Sequence, residues 1–380
     1  MSKINSFITT QEIWQQPRLW RETTAIIEAR QREIKEFIER AGSKGRLRVV
    51  LTGAGSSAFV GESVSPYLNR ISDYHVEGVA TTDIVANPRN YLPDVPTLLI
   101  SFARSGNSPE SVATVSLANE MVSNLHHIIL TCNPDGSLAR DARDDEKSLV
   151  ILMPSDSNDK GFAMTGSFTT MVLASLLIFN LDKLPIFNQE VAKLADRGDA
   201  LLESPEIAEL ASEDFQRLVY LGSSTLQGLA RESALKMLEL SAGKVVATWD
   251  SPLGFRHGPK SIINEQTLAV FYLSVDSHAR KYELDLLREM AADKQAKLVA
   301  LLPAPAPEVA ELADYAISVS DTGLQLADDV FLLFPYILFA QSIALRKSAA
   351  LGINPDNPSP SGTVNRVVKG VKIYPFERKG

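Results

Sequence analysis

The sequence predicts an α/β protein built from two tandem, doubly wound parallel-sheet domains. Three observations lead there. Apolar runs of strand length alternate with segments of 3.6-residue apolar spacing, the pattern of a parallel sheet with crossover helices. The chain then restarts that pattern. "RVVLTG" at 48–53 returns as "RLVYLG" at 217–222, "TLLISF" at 97–102 as "TLAVFY" at 267–272, and "HHIIL" at 126 as "AKLVALL" at 296. The offsets are all 169 or 170 residues, far above the roughly 20–50 residues of solenoid repeats, so the copies are whole domains. Finally, 380 residues suit two hydrophobic cores better than one.

Taken in order, residues 1–45 form a helical lead-in, with "WRETTAIIEARQREIKEFIERAG" expected as one long acidic-basic helix. The first domain covers 46–180, with strands at 48–53, 74–79, 97–102, 126–132 and 148–154 and a helix at 109–124. Residues 181–213 are helical in pattern, broken by Pro185 and Pro205, and connect the copies. The second domain covers 214–350. Residues 351–380, with four prolines in "INPDNPSPSGTVNRVVKGVKIYP", form an irregular tail.

Composition removes several function classes. The formal net charge is -8, which disfavours a nucleic-acid partner, because phosphate backbones need a basic face. A small anionic ligand remains possible at a locally positive site. The single cysteine, Cys132, allows no internal disulfide and no cysteine metal cluster, and its place after "HHIIL" makes it a small hydrophobe at a strand end. None of the five histidines forms an HExxH pair, so no zinc site of that type is expected. The N-terminus lacks an export core and no apolar run reaches bilayer length, so no membrane partner and a cytoplasmic location are expected.

Two loops of the first copy are rich in hydroxyls. "GAGSSAF" (53–59) and "ARSGNSPE" (103–110) each follow a strand and precede a helix. Ligands of open parallel sheets sit beyond the carboxyl ends of the strands, where strand order reverses. Helix N-termini there offer unpaired N–H groups and partial positive charge, so serine and glycine at these points make a phosphate cradle. The candidates are Ser56, Ser57, Arg104, Ser105, Asn107 and Ser108. Ser108 before Pro109 also reads as an ordinary helix cap, which leaves the other serines unexplained. Neither loop is a nucleotide-binding glycine motif, so a phosphate monoester fits better. The second copy has lost the Ser-Gly core: its loop reads "YLSVDSHARKY". The first copy alone is expected to bind the anion.

"GAGSSA", "RSGNS", "ESALKMLELSAGKVVA" and "FRHGPKS" resemble, in that order, the motifs of the sugar isomerase (SIS) domain family. Two such domains resemble the isomerase half of glucosamine-6-phosphate synthase. "KGFAMTG" (160–166), "DSPLGFRHGPKS" (250–261) and "SGTVNRVVKGV" (361–371) make the chain more similar to the AgaS-type galactosamine-6-phosphate deaminase/isomerases. The resemblance covers nearly the whole chain. It implies that Ser57, Ser105 and Ser108 hold a sugar phosphate, with Ser56 beside them. The family's SxSG sequence reads Ala103-Arg104-Ser105-Gly106 here, so Arg104 is expected to replace one hydroxyl ligand.

The resemblance also supplies the chemistry. Glu232, Lys236 and Glu239 fall at i, i+4 and i+7 of one helix face, which by composition alone is a solvated charged face with an ion pair. Glu239 falls on the family's catalytic glutamate, a base that carries a proton from C2 to C1 of the opened sugar. His257, in the HGP motif, would assist ring opening, supplied from a neighbouring subunit, so a homodimer or higher oligomer is implied. Lys369 resembles a C-terminal lysine near the substrate carbonyl. No metal or organic cofactor is required. The chain begins Met1-Ser2 with its one cysteine internal, so glutamine-dependent synthesis is not expected. The implied reaction converts galactosamine 6-phosphate to tagatose 6-phosphate and ammonia. A plain aldose–ketose isomerase would share every residue named. A sugar-phosphate sensor would need a helix-turn-helix domain, for which 1–45 shows no pair of short helices.

Overall fold

The computed structural model describes residues 4–320, 326–368 and 370–377. The chain divides into two compact units that do not follow chain order. One comprises Leu19–Asp159, Gly166–Phe187 and Ser361–Gly380, and the other Met1–Arg18, Lys160–Thr165 and Asn188–Pro360. The lead-in and the tail are thus each divided between the two units.

The first unit holds a five-stranded, all-parallel sheet of β1 (Arg48–Gly53), β2 (His75–Ala80), β3 (Thr97–Ala103), β4 (Leu125–Thr131) and β5 (Ser148–Leu152), in the order β2-β1-β3-β4-β5. β3 and β4 are buried along their whole length, which is why they read as unbroken apolar runs. Strand order reverses between β1 and β3, where Thr52 lies opposite Ser101. The two hydroxyl loops leave the sheet at this switch point.

The second unit holds β6 (Arg217–Gly222), β7 (Val246–Asp250), β8 (Thr267–Tyr272), β9 (Lys297–Leu302) and β10 (Tyr315–Ser318) in the order β7-β6-β8-β9-β10. Matched strand for strand, this is the order of the first sheet. Its core runs through Val219, Phe255, Phe271, Leu286 and Ala300.

Three expectations are corrected. The lead-in is not one helix. It runs as Ile8–Trp14, Gln16–Ala29 and Gln31–Ala41, the last two separated at Arg30, whose guanidinium pairs with Glu33 at 2.8 Å and donates to the Val150 carbonyl. Pro185 does not break the connection. It lies in the first turn of Leu184–Leu202, where a missing N–H loses no helix bond. The stretch Asp329–Ala350 does have the length and apolarity of a membrane span, but most of it is buried inside the protein. An all-round apolar helix of this kind is a core helix.

Candidate active site

In the first unit, Gly53 ends β1 and Ser56–Ile71 begins the next helix, with Gly55 as its N-cap at φ 57°. A Cβ on Gly53 would fall 2.5 Å from the Ser57 Cβ, so only glycine lets the first helical turn drop onto the strand end. Ser56 and Ser57 are buried there. The second loop follows β3. Gly106 has φ 69°, and the Ser105 carbonyl accepts from the Asn133 side chain at 2.8 Å. Ser105 Oγ accepts from the Asn107 N–H at 3.3 Å. Among the described residues its hydroxyl proton has no acceptor, which suits it to a phosphate oxygen.

The other loop residues have structural work as well. Asn107 Oδ1 accepts from the Ser137 N–H at 2.9 Å and its hydroxyl at 3.1 Å, tying the loop to the one that follows β4. Ser108 is the N-cap of Pro109–Met121. It accepts from the Ser111 N–H at 3.3 Å and donates to the Ser111 hydroxyl at 2.6 Å, so the capping expectation holds. Arg104 is buried, and its guanidinium donates to the Arg366 carbonyl at 2.9 Å. Arg366 in turn donates to the Asp159 carbonyl. Nothing in the loop sequence signals this bond, because the tail lies 262 positions away. Cys132 is buried at the end of β4, and its thiol is pushed up to about 12 by burial, so it is inert.

The second unit carries the proton-transfer candidates. Thr225–Leu240 packs against the core helix Leu333–Ala350 and presents Glu232, Lys236 and Glu239 on one face. That face is not solvated. Lys236 and Glu232 are fully buried, and the Glu239 side chain is 23% exposed. Lys236 Nζ lies 3.2 Å from Glu232 and 2.7 Å from Glu239. Burial alone would pull the ammonium down, but the two carboxylates hold it above the ordinary lysine value. The cation is therefore permanent, and it aligns the one carboxylate of the trio that reaches solvent. A signal for this burial exists in the sequence: Glu232 and Lys236 stand in the helical stripe of Leu229 and Leu240, both core residues.

His257 sits on a turn between Pro252–Phe255 and Pro259–Ile262, with Gly258 at φ 123°. Its side chain is exposed. Its neighbours Arg256 and Lys260 pair with Glu289 at 2.9 and 2.5 Å, and Lys260 reaches Asp293 at 2.6 Å, which anchors the turn. Lys369 lies outside the described residues. The phosphate candidates are thus gathered in one unit, and Glu239 and His257 lie in the other. At the "KGFAMTG" motif, the Glu12 carboxylate accepts the Lys160 and Gly161 N–H groups in one unit, and in the other Asp159 caps the Gly166–Ile178 helix through the N–H groups of Gly166 and Ser167, each at 3.0 Å.

A repeated 2-1-3-4-5 sheet, with hydroxyl donors at one switch point and a buried ion-pair helix in the other copy, defines a class: a duplicated α/β protein suited to a small phosphorylated substrate. The SIS domain family matches residues 43–181, the span that holds both hydroxyl loops. The D-galactosamine-6-phosphate deaminase AgaS of Escherichia coli O157:H7 is 44% identical over 97% of this chain and 96% of its own. A solved tagatose-6-phosphate ketose/aldose isomerase from Escherichia coli is 40% identical, with TM-score 0.90 over 98% of each chain. A provisionally named tagatose-6-phosphate ketose/aldose isomerase from Clostridium novyi NT is 48% identical, with TM-score 0.96 over 99% of this chain and 97% of that one. The chain belongs to the double-SIS family, in its AgaS-type branch.

Proposed function

We propose that the chain is a deaminating isomerase that converts galactosamine 6-phosphate and water to tagatose 6-phosphate and ammonia. The observation that carries this reading is Glu239, a partly exposed carboxylate held at 2.7 Å by a wholly buried lysine, at the position of the family's base. Serine hydroxyls and helix-start N–H groups of the first crevice hold the phosphate. His257 moves a proton between the anomeric hydroxyl and the ring oxygen as the ring opens. Glu239 takes the C2 proton, giving an enolamine, and returns a proton to C1, leaving an imine at C2. Water adds to C2, the C–N bond breaks, and ammonia departs from a ketone. No oxidant or reductant enters.

Lys369 is assigned to the substrate carbonyl by resemblance. Arg104 serves the phosphate loop as an anion ligand, and its bond to the Arg366 carbonyl ties that loop to the tail. The exposed position of His257 suits a residue that serves a second copy, so the working form is a homodimer or larger, in the cytoplasm.

A second reading, ketose–aldose isomerisation without loss of nitrogen, is favoured by the name of the Escherichia coli structure. Purified protein supplied with galactosamine 6-phosphate should release ammonia and ketose in equal amounts. Turnover of tagatose 6-phosphate to an aldose phosphate, with no ammonia from the amino sugar, would favour the second reading.

A further inference from the structure

At the second switch point, between β6 and β8, the same two loops leave adjacent strand ends, and we propose that this crevice is an oxyanion site closed from within by the carboxyl group of Glu283. The proposal rests on the phosphate reading of the first crevice. The loop geometry has been kept. A Cβ on Gly222 would fall 2.5 Å from the Leu226 carbonyl oxygen, as tight as Gly53 against Ser57. Ser224 adopts φ 53° and ψ -122°, next to φ 57° and ψ -129° at Gly55. A serine in that conformation is strained by about 1–3 kcal/mol, so the loop shape outlasted the loss of its glycine.

What fills the crevice differs. Glu283 is fully buried on the Ser277–Asp293 helix, and its counterpart at an offset of 170 is Ala113. Its Oε2 accepts the Ser274 N–H at 2.8 Å, and the nearby Ser223 side chain favours the charged form of the same carboxyl group. Ser223 and Ser274 are the counterparts of Ala54 and Arg104. One carboxyl group therefore takes an N–H from the loop after β8 and lies beside the loop after β6, where a phosphate would sit. Asp329 adds a second acceptor set, taking the Ser274 hydroxyl at 2.6 Å and the Val275 N–H at 2.7 Å. The nearby cation, Arg280, lies 3.9 Å from Glu283 and spends its N–H groups on the Ser274 carbonyl. Two carboxyl groups against one guanidinium already take these donors and disfavour a phosphate dianion, so each chain keeps one phosphate site.

Calorimetric titration of the full chain with inorganic phosphate tests this. Wild type should bind one phosphate per chain, and Ser105→Ala should weaken that event. The variant Glu283→Ala/Asp329→Asn should gain a second event, with a larger phosphate-dependent rise in Tm than wild type. Two events in wild type, or a folded variant with no added phosphate response, would overturn the proposal. If the variant does not fold in chloride buffer, refolding in phosphate decides: rescue supports the closed site, and equal failure in both buffers overturns it. Absence of the wild-type event alone would instead sink the first-crevice reading, while the variant's gain still reports on the second.

Discussion

Replacing Lys236 by methionine keeps the side chain's length and removes its charge. The structure sets the size of the effect. Lys236 and Glu232 are both fully buried at 3.2 Å, so the variant strands the Glu232 carboxylate away from water, whereas Glu239 still reaches solvent. Removing one partner of a buried pair typically costs about 3–5 kcal/mol, because the remaining charge is uncompensated. In a domain of this size that is a Tm loss on the order of 10 °C. Adding Glu232→Gln should return most of the loss, since no buried charge then remains. Urea unfolding of wild type, both single variants and the double variant gives the coupling directly. A loss below about 1 kcal/mol for Lys236→Met, far under the buried-pair figure, would refute the reasoning. So would a double variant no more stable than Lys236→Met.

Three further outcomes follow from the sites. Ser105→Ala should raise KM for the sugar phosphate about tenfold or more with little change in kcat, since a charge-assisted hydrogen bond contributes about 1.5–3 kcal/mol; unchanged steady-state constants would place the phosphate elsewhere. Mixing inactive His257→Asn with inactive Glu239→Gln protein under subunit exchange should restore part of the activity in hybrid oligomers, and no recovery despite proven exchange would mean that each chain uses its own histidine. Glu283, pushed up to about 7 by burial, keeps its proton in the folded state at pH values where the unfolded chain, near about 4.3, has lost it. Its contribution to stability is therefore present below about pH 4.3 and lost as pH rises through 7. The Tm of wild type minus that of Glu283→Gln should fall across that interval, and a flat difference would contradict the burial of the group.

Much of the fold was legible because parallel strands buried on both faces read as largely apolar runs. β1, β3, β4, β6, β8 and β9 all announce themselves in this way. β7 and β10 do not. They are edge strands, "VATWD" and "YAIS", half-exposed and short, and no periodicity separates them from loops. The two hydroxyl loops were visible as glycine and serine between a strand and a helix. Their meeting at one switch point depended on sheet order, which no local pattern encodes. Arg104 illustrates the limit: its bond to a tail carbonyl far along the chain has no local signal. Glu232 and Lys236 were judged by charge as a wet face, although their helical stripe also contains Leu229 and Leu240. Charged residues in such a stripe are buried only when each finds a partner, and here the partners are one another.

The central claim is that Glu239 drives isomerisation of an amino-sugar phosphate that ends in loss of nitrogen. The most direct test runs galactosamine 6-phosphate in deuterium oxide with wild type and with Glu239→Gln, measuring ammonia and the label at C1 of the ketose. Wild type should release one ammonia per tagatose 6-phosphate and place solvent deuterium at C1, because the abstracted proton exchanges on the carboxyl group. Glu239→Gln should lose about 10²–10⁴ in kcat with KM nearly unchanged, the pattern of a group needed in the transition state. Ketose formed without ammonia, or a Glu239→Gln enzyme keeping more than about a tenth of wild-type kcat, well short of the loss expected for a general base, would contradict the account.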